Sequence, residues 1–95
     1  MTAPAGVSGR DYLAAIYEMA EESIPTVQAN LARWMGVSPA SASEAVKRLH
    51  RDGLIDRSGR ELRFTRSGRE LAEKLVRRHR LAERFLIQVL GLPWH

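Results

Sequence analysis

No cysteine occurs among the 95 residues, which removes disulfides and thiolate metal sites and leaves the redox compartment unread. No apolar run approaches the roughly 18 residues of a membrane-spanning helix, and the N-terminus lacks the charged-then-apolar order of a secretory signal. Cytoplasmic residence is therefore expected, with no membrane partner. An activated nucleophile, an acid–base pair in an evident pocket and a phosphate loop are also lacking, so the chain does not read as an enzyme. What it has in excess is positive charge. Fifteen Lys+Arg against eleven Asp+Glu give +4, most of it after Arg33. A basic half of this kind suits an anionic partner, or serves solubility. The length suits one domain with a single modest core.

The stretch from Val27 to Leu54 organises the rest. Val27, Leu31 and Met35 recur at helical spacing, Gly36 permits a helix end, and Ser38-Pro39 supplies an N-cap followed by proline in the first turn. A second helix then puts Ala42, Ala45, Val46 and Leu49 on one side and Ala40, Ser41, Ser43, Glu44, Lys47, Arg48 and Arg51 on the other. That outer face is small at its start and basic towards its end. A helix-turn-helix needs this layout, because leading residues approach base edges while later cations reach phosphates. A two-helix corner of any small bundle is the other reading of the same pattern.

Before this pair, residues 1–7 read as a loose arm, and Ser8 caps a helix from about Gly9 to Glu22 with Leu13, Ile16, Tyr17 and Ala20 inward. Asp11 lies in the first turn, where an acid complements the helix dipole. Thr26 is the expected cap of the next helix. After Asp52-Gly53 the period changes to two short segments, 54–57 and 61–64, around Ser58-Gly59-Arg60, a hairpin by pattern. A hairpin behind a helix-turn-helix is the wing of a winged helix, with Arg57, Arg60 and Arg63 positive on its tip and outer face. An ordinary ribbon with solvated arginines would look the same.

Thr65 then caps a long helix running to about Gly91. Its apolar stripe, Leu71, Leu75, Val76, Leu81, Phe85, Leu86, Val89 and Leu90, is longer than so small a domain can cover. Pro93-Trp94 resembles the opening of one more helix. On the long helix His79 and Glu83 stand at i, i+4, so imidazole and carboxylate share a face and can reach one divalent ion, or simply form a surface hydrogen bond. His50 lies among the basic residues of the second helix.

The stretches DYLAAIYEM, MGVSPASASEAVKRLHRDGLI, LRFTRSGRELAEKLVRRHRLAERFL and GLPWH resemble the N-terminal half of the diphtheria toxin repressor family, metal-dependent bacterial transcriptional repressors with iron- and manganese-responsive branches. The resemblance covers almost the whole chain after Ser8, and RHRLAERFL followed by GLPW is its most specific part. It implies a mainly α fold with a small β-hairpin. Residues 8–64 would form a winged helix-turn-helix, 65–91 a long helix leading toward a dimerisation region, and 92–95 the start of a truncated helix. The implied function is metal-dependent repression through a palindromic DNA operator.

By position, the resemblance makes His79, Glu83 and Asp11 metal ligands that join the first helix to the long helix. Asp11 falls where the iron branch has methionine and the manganese branch aspartate. Mn(II) is accordingly favoured over Fe(II) as co-repressor, because a hard carboxylate suits Mn(II); another divalent transition metal remains open. The glutamate often found one turn further in the manganese branch is Ala14 here. Ser38, Pro39, Ala40, Ser41, Ser43 and Glu44 are expected at base edges, and Thr26, Lys47, Arg48, Arg51 and Arg60 at phosphates. Glu44 stands where the family commonly has glutamine, with Arg48 one turn on as its expected neutraliser. The homodimer would use residues beyond 95; the chain is then a fragment of a longer repressor, which the uncovered apolar stripe favours, or a stand-alone variant regulated differently. Two other functions stay open: a winged helix that binds DNA without metal control, and one used for protein contacts.

Overall fold

In the computed structural model, which describes residues 8–88 and side chains to residue 85, the elements run α1 (Gly9–Glu21), α2 (Gln28–Met35), α3 (Pro39–Arg51), β1 (Ile55–Asp56), β2 (Arg63–Phe64) and α4 (Arg66–Gln88). The N-terminal arm, the end of the long helix near Gly91 and the Pro93-Trp94 turn lie outside the described residues.

Asp11 opens α1 by accepting from the Ser8 backbone N–H at 2.8 Å and the Ser8 hydroxyl at 3.3 Å. This is the reciprocal half of a capping box, with the acid also placed where the helix dipole favours it. The helix ends on Ser23 in the left-handed region (φ 59°). Its N–H donates to the Ala20 carbonyl, and the Ile24 N–H donates to Met19 at 2.9 Å, a Schellman pattern normally built on glycine. Ile24 is thereby folded back onto the core.

The buried line of α1 is Tyr12, Leu13, Ala15, Ile16 and Met19. Tyr17 is half-buried and Ala20 exposed, which corrects the expected stripe. The helix packs against α2, α3 and α4 at once, so its buried arc is wider than a single-sided stripe and turned towards Tyr12 and Met19.

Gly36, at φ 68°, ends α2, and its successor Val37 is buried while its N–H donates to the Ala32 carbonyl at 3.0 Å. At the other end the N-cap is Val27, without a side-chain bond, rather than Thr26. The reason is long-range. The Thr26 hydroxyl donates to the Leu62 carbonyl at 3.0 Å, and the Leu62 N–H donates back to the Thr26 carbonyl at 2.8 Å. Thr26 therefore belongs to the edge of the hairpin.

Ser38 caps α3, which closes on Gly53 (φ 74°) with the Leu54 N–H on the Leu49 carbonyl at 3.0 Å. The hairpin that follows is shorter than its pattern suggested, two residues per strand, with Ile55 opposite Phe64 and Asp56 opposite Arg63. Thr65 joins it to α4, accepting from the Gly68 N–H at 3.1 Å and donating to the Gly53 carbonyl at 2.7 Å.

Leu13, Ile16, Met19, Leu31, Val46 and Ile55 are the largest fully buried side chains. Each stabilises the fold by roughly 1.5–3 kcal/mol relative to exposure. On α4, Ala72 and Val76 are buried and Leu71 and Leu75 pack at the margin, whereas Leu81 is 58% and Phe85 56% exposed. Arg80 reaches across to pair with Glu21 at the end of α1, and that hydrogen bond holds its guanidinium still more firmly protonated.

Candidate nucleic-acid interface

The second helix of the turn motif is amphipathic in the expected register. Ala42, Ala45, Val46 and Leu49 are buried against the core, while Pro39, Ala40, Glu44, Lys47, Arg48 and Arg51 are exposed and Ser38, Ser41 and Ser43 lie half-buried at the leading edge. Three apolar contacts fix its height. Leu49 lies 3.6 Å from where a Cβ on Gly9 would stand, Leu54 and Ile55 close the far end, and α2 braces the near one.

At the tip, the Ser38 Oγ accepts from the Ser41 N–H at 3.1 Å and donates its own proton to the Ser41 Oγ at 3.0 Å. One hydroxyl proton is shared between the two oxygens, which leaves the pair one proton to donate outward and lone pairs to accept. Glu44 and Arg48 stand one turn apart but form no ion pair. The pairs among the described residues are Arg66–Glu70 and Arg80–Glu21. The expected neutralisation of Glu44 is thus not made, and both side chains extend into solvent.

Tyr12 is buried within reach of the Arg48 charge, a relationship that the sequence did not disclose. Burial pushes its phenol above the ordinary tyrosine range, and the Arg48 charge opposes that shift.

The hairpin stands beside this helix with Arg57, Arg60 and Arg63 exposed. Its tip is shaped by Asp56, whose carboxylate accepts from the Ser58 N–H at 2.9 Å and hydroxyl at 3.1 Å, so that its pKa is held below the ordinary aspartate value. Glu61 accepts from the Thr26 N–H at 3.3 Å. Thr26 itself was expected at phosphate. Its hydroxyl donates to the Leu62 carbonyl and its N–H to Glu61.

The three expected metal ligands do not gather. Asp11 is exposed in the first turn of α1 with its Oδ2 occupied by Ser8. His79 and Glu83 share a face of the distal half of α4, exposed and half-buried respectively. Among the described residues no three His, Asp or Glu side chains are placed to hold one ion. The imidazole–carboxylate pair has donor chemistry suited to a divalent transition metal, but two donors do not close a site, and the bridge expected of Asp11, His79 and Glu83 is not formed by these residues alone.

A helix-turn-helix with an exposed basic helix and a basic hairpin beside it defines a winged-helix DNA-binding protein. The protein-family model described as the iron dependent repressor N-terminal DNA binding domain matches residues 7–61, and that of the iron dependent repressor metal binding and dimerisation domain matches residues 65–95. The chain belongs to this family of metal-dependent transcriptional repressors, which are regulators rather than enzymes.

Among its relatives, the iron-dependent repressor IdeR of Mycobacterium tuberculosis is 44% identical over 84 residues, 87% of this chain and 36% of that protein. The diphtheria toxin repressor of Corynebacterium jeikeium is also 44% identical, over 87% of this chain and 35% of its own length. A solved manganese-dependent transcriptional repressor in complex with manganese superposes with a TM-score of 0.81 at 39% identity, over 92% of this chain and 40% of that one. The chain thus spans little more than a third of the curated relatives it matches.

Proposed function

We propose that this chain is the operator-reading part of a metal-responsive repressor, acting as a homodimer through residues beyond 95 on a palindromic site. The observation that carries this reading is the outer face of α3: a half-buried serine tip, a small Ala40, then Glu44, Lys47, Arg48 and Arg51 in sequence along exposed turns. With its N-terminal turns in the major groove, Pro39 and Ala40 approach closely enough for Ala40 to pack on a thymine methyl. The Ser38–Ser41 pair donates its remaining proton to a base acceptor, and Ser43 donates or accepts. Glu44 accepts from a cytosine N4. Lys47, Arg48 and Arg51 meet phosphates, and Arg60 does so from the wing.

His79 and Glu83, with Asp11 brought to them from α1, would supply part of the metal's donor set, and further donors would come from outside the described residues. When bound, the metal supplies a divalent charge whose preferred partners follow donor hardness. We assign Mn(II) ahead of Fe(II) because Asp11 offers a hard oxygen, and because the two bonds from Ser8 both use Oδ2 and spare Oδ1.

Titrating Mn(II) and Fe(II) during an operator-binding assay tests the whole reading. Affinity that rises with metal, more for Mn(II), is expected. Operator binding indifferent to metal would replace it with a metal-independent DNA binder, and duplex DNA bound no better than heparin with a protein-interaction module.

A further inference from the structure

Arg33 stands on α2 between two surface grooves. One runs from Gln28 and Ala32 past Arg33 to Pro39, the first residue of α3. The other, about 460 Å³, is lined by Pro25, Asn30, Arg33, Arg60 and Glu61 and opens onto the wing. Its volume is many times the roughly 30 Å³ of one water, so it admits a bulky solvated group. Arg33 lines both grooves. It therefore lies on the line joining the tip of α3 to the tip of the wing, the two elements assigned above to DNA.

The side chain is held in place from behind. Asn30 donates its amide N–H to the Pro25 carbonyl at 2.9 Å, and its amide oxygen accepts from the Arg33 guanidinium. A neutral amide orients the guanidinium without cancelling its charge. Neither ion pair among the described residues uses Arg33 or Arg60. Glu61, the carboxylate in the groove, is directed to the Thr26 N–H instead. Two exposed guanidinium groups thus face one groove with no acid closing on either. An oriented, unneutralised arginine pair matches the geometry of phosphate recognition.

We propose that Arg33, positioned by Asn30, clamps a backbone phosphate of the DNA strand that passes from the α3 tip to the wing, with Arg60 on the opposite side of the same groove. The inference rests on the assignment of α3 to the major groove and extends the phosphate-binding set to α2, which no charge pattern in the sequence marked out.

The test is the salt dependence of binding to a short mixed-sequence duplex, measured with the full chain by fluorescence anisotropy for wild type, Arg33→Ala, Arg33→Lys and Arg48→Ala, each checked for an unchanged thermal melt. Arg33→Ala is expected to weaken binding uniformly across sequences and to lower the slope of log K against log salt by about 0.9, the value for one phosphate contact. Arg33→Lys, which keeps the charge, should hold the slope near wild type. A slope unchanged in Arg33→Ala while Arg48→Ala lowers its own overturns the clamp and leaves the α3 assignment standing. Slopes unchanged in both overturn that assignment, and the clamp with it.

Discussion

Gly68 packs so tightly on Leu54 that a Cβ built on it would stand 1.8 Å from the Leu54 carbonyl oxygen and 2.7 Å from its carbon. The obstacle is backbone and cannot swing aside. The same junction is tied by Thr65, whose hydroxyl bridges the Gly53 carbonyl and the Gly68 N–H. The first turn of α4 is therefore seated directly on the turn that ends α3.

Gly68→Ala should reverse the usual sign of its substitution. Alanine inside a helix normally stabilises by about 0.5–1 kcal/mol relative to glycine. Here the forced separation of α4 from Leu54 should destabilise by about 3 kcal/mol or more. Urea unfolding followed by circular dichroism measures it, and a variant as stable as wild type would show the contact to be looser than described.

Ser23→Gly should stabilise. A non-glycine left-handed residue costs roughly 1–2 kcal/mol, and glycine gives back roughly 0.5–1 through its freer unfolded chain. A net gain of about 0.5 kcal/mol is expected in the same assay, with Ser23→Ala giving none.

Glu44→Gln should strengthen binding to mixed-sequence duplex, since Arg48 does not pair with this carboxylate and its charge opposes nearby phosphates. In a binding-site selection, preference at the contacted base should move from cytosine towards adenine, the partner of a carboxamide, by about 1–3 kcal/mol. Arg48→Ala and Arg51→Ala should each lower the salt slope by about 0.9 without changing that preference.

Asp11→Met should lower the stimulation of operator binding by Mn(II) relative to Fe(II), because a thioether replaces a hard oxygen. It also removes the acceptor for Ser8, at a cost of about 1 kcal/mol in stability. Asp11→Asn separates the two effects: an amide oxygen can still accept from the Ser8 N–H, while the anionic oxygen is gone. Metal titration and urea unfolding of the pair should therefore diverge.

Asp56 should titrate below the ordinary aspartate value in an NMR pH series, and Ser58→Ala should return it upward, since the Ser58 bonds favour the carboxylate. A folded pKa depressed in this way contributes stability above the unfolded aspartate value. That contribution is lost as the pH falls through the lower folded value. Acidification should accordingly release the Asp56–Ser58 bonds only once the pH has fallen below the ordinary aspartate range.

Much of this architecture is local and was legible as such. Ser38-Pro39 and Thr65 cap where the sequence places them, Gly36 stops α2, and the alternation around Leu62 and Phe64 forms a hairpin. The failures share one cause. Thr26 carries a capping residue's chemistry, but its partner lies 36 positions away at Leu62; Tyr12 turns inward; Ala72, which no stripe of large residues includes, is fully buried. Each depends on what stands opposite, which a single-chain pattern does not encode. The site divides in the same way. The outer face of α3 follows from helical period alone, whereas the lack of a three-ligand cluster among the described residues, and the place of Arg33 beside the wing, depend on how four helices are stacked.

The paired bonds between Thr26 and Leu62 fasten the ribbon to the linker that leaves α1. Any tilt imposed on α1 is consequently passed to the arginine-bearing ribbon through a few covalent steps and two short tethers, and to α3 through the packing that the two helices share. The ribbon and the outer face of α3 therefore ride on one lever and would shift in concert.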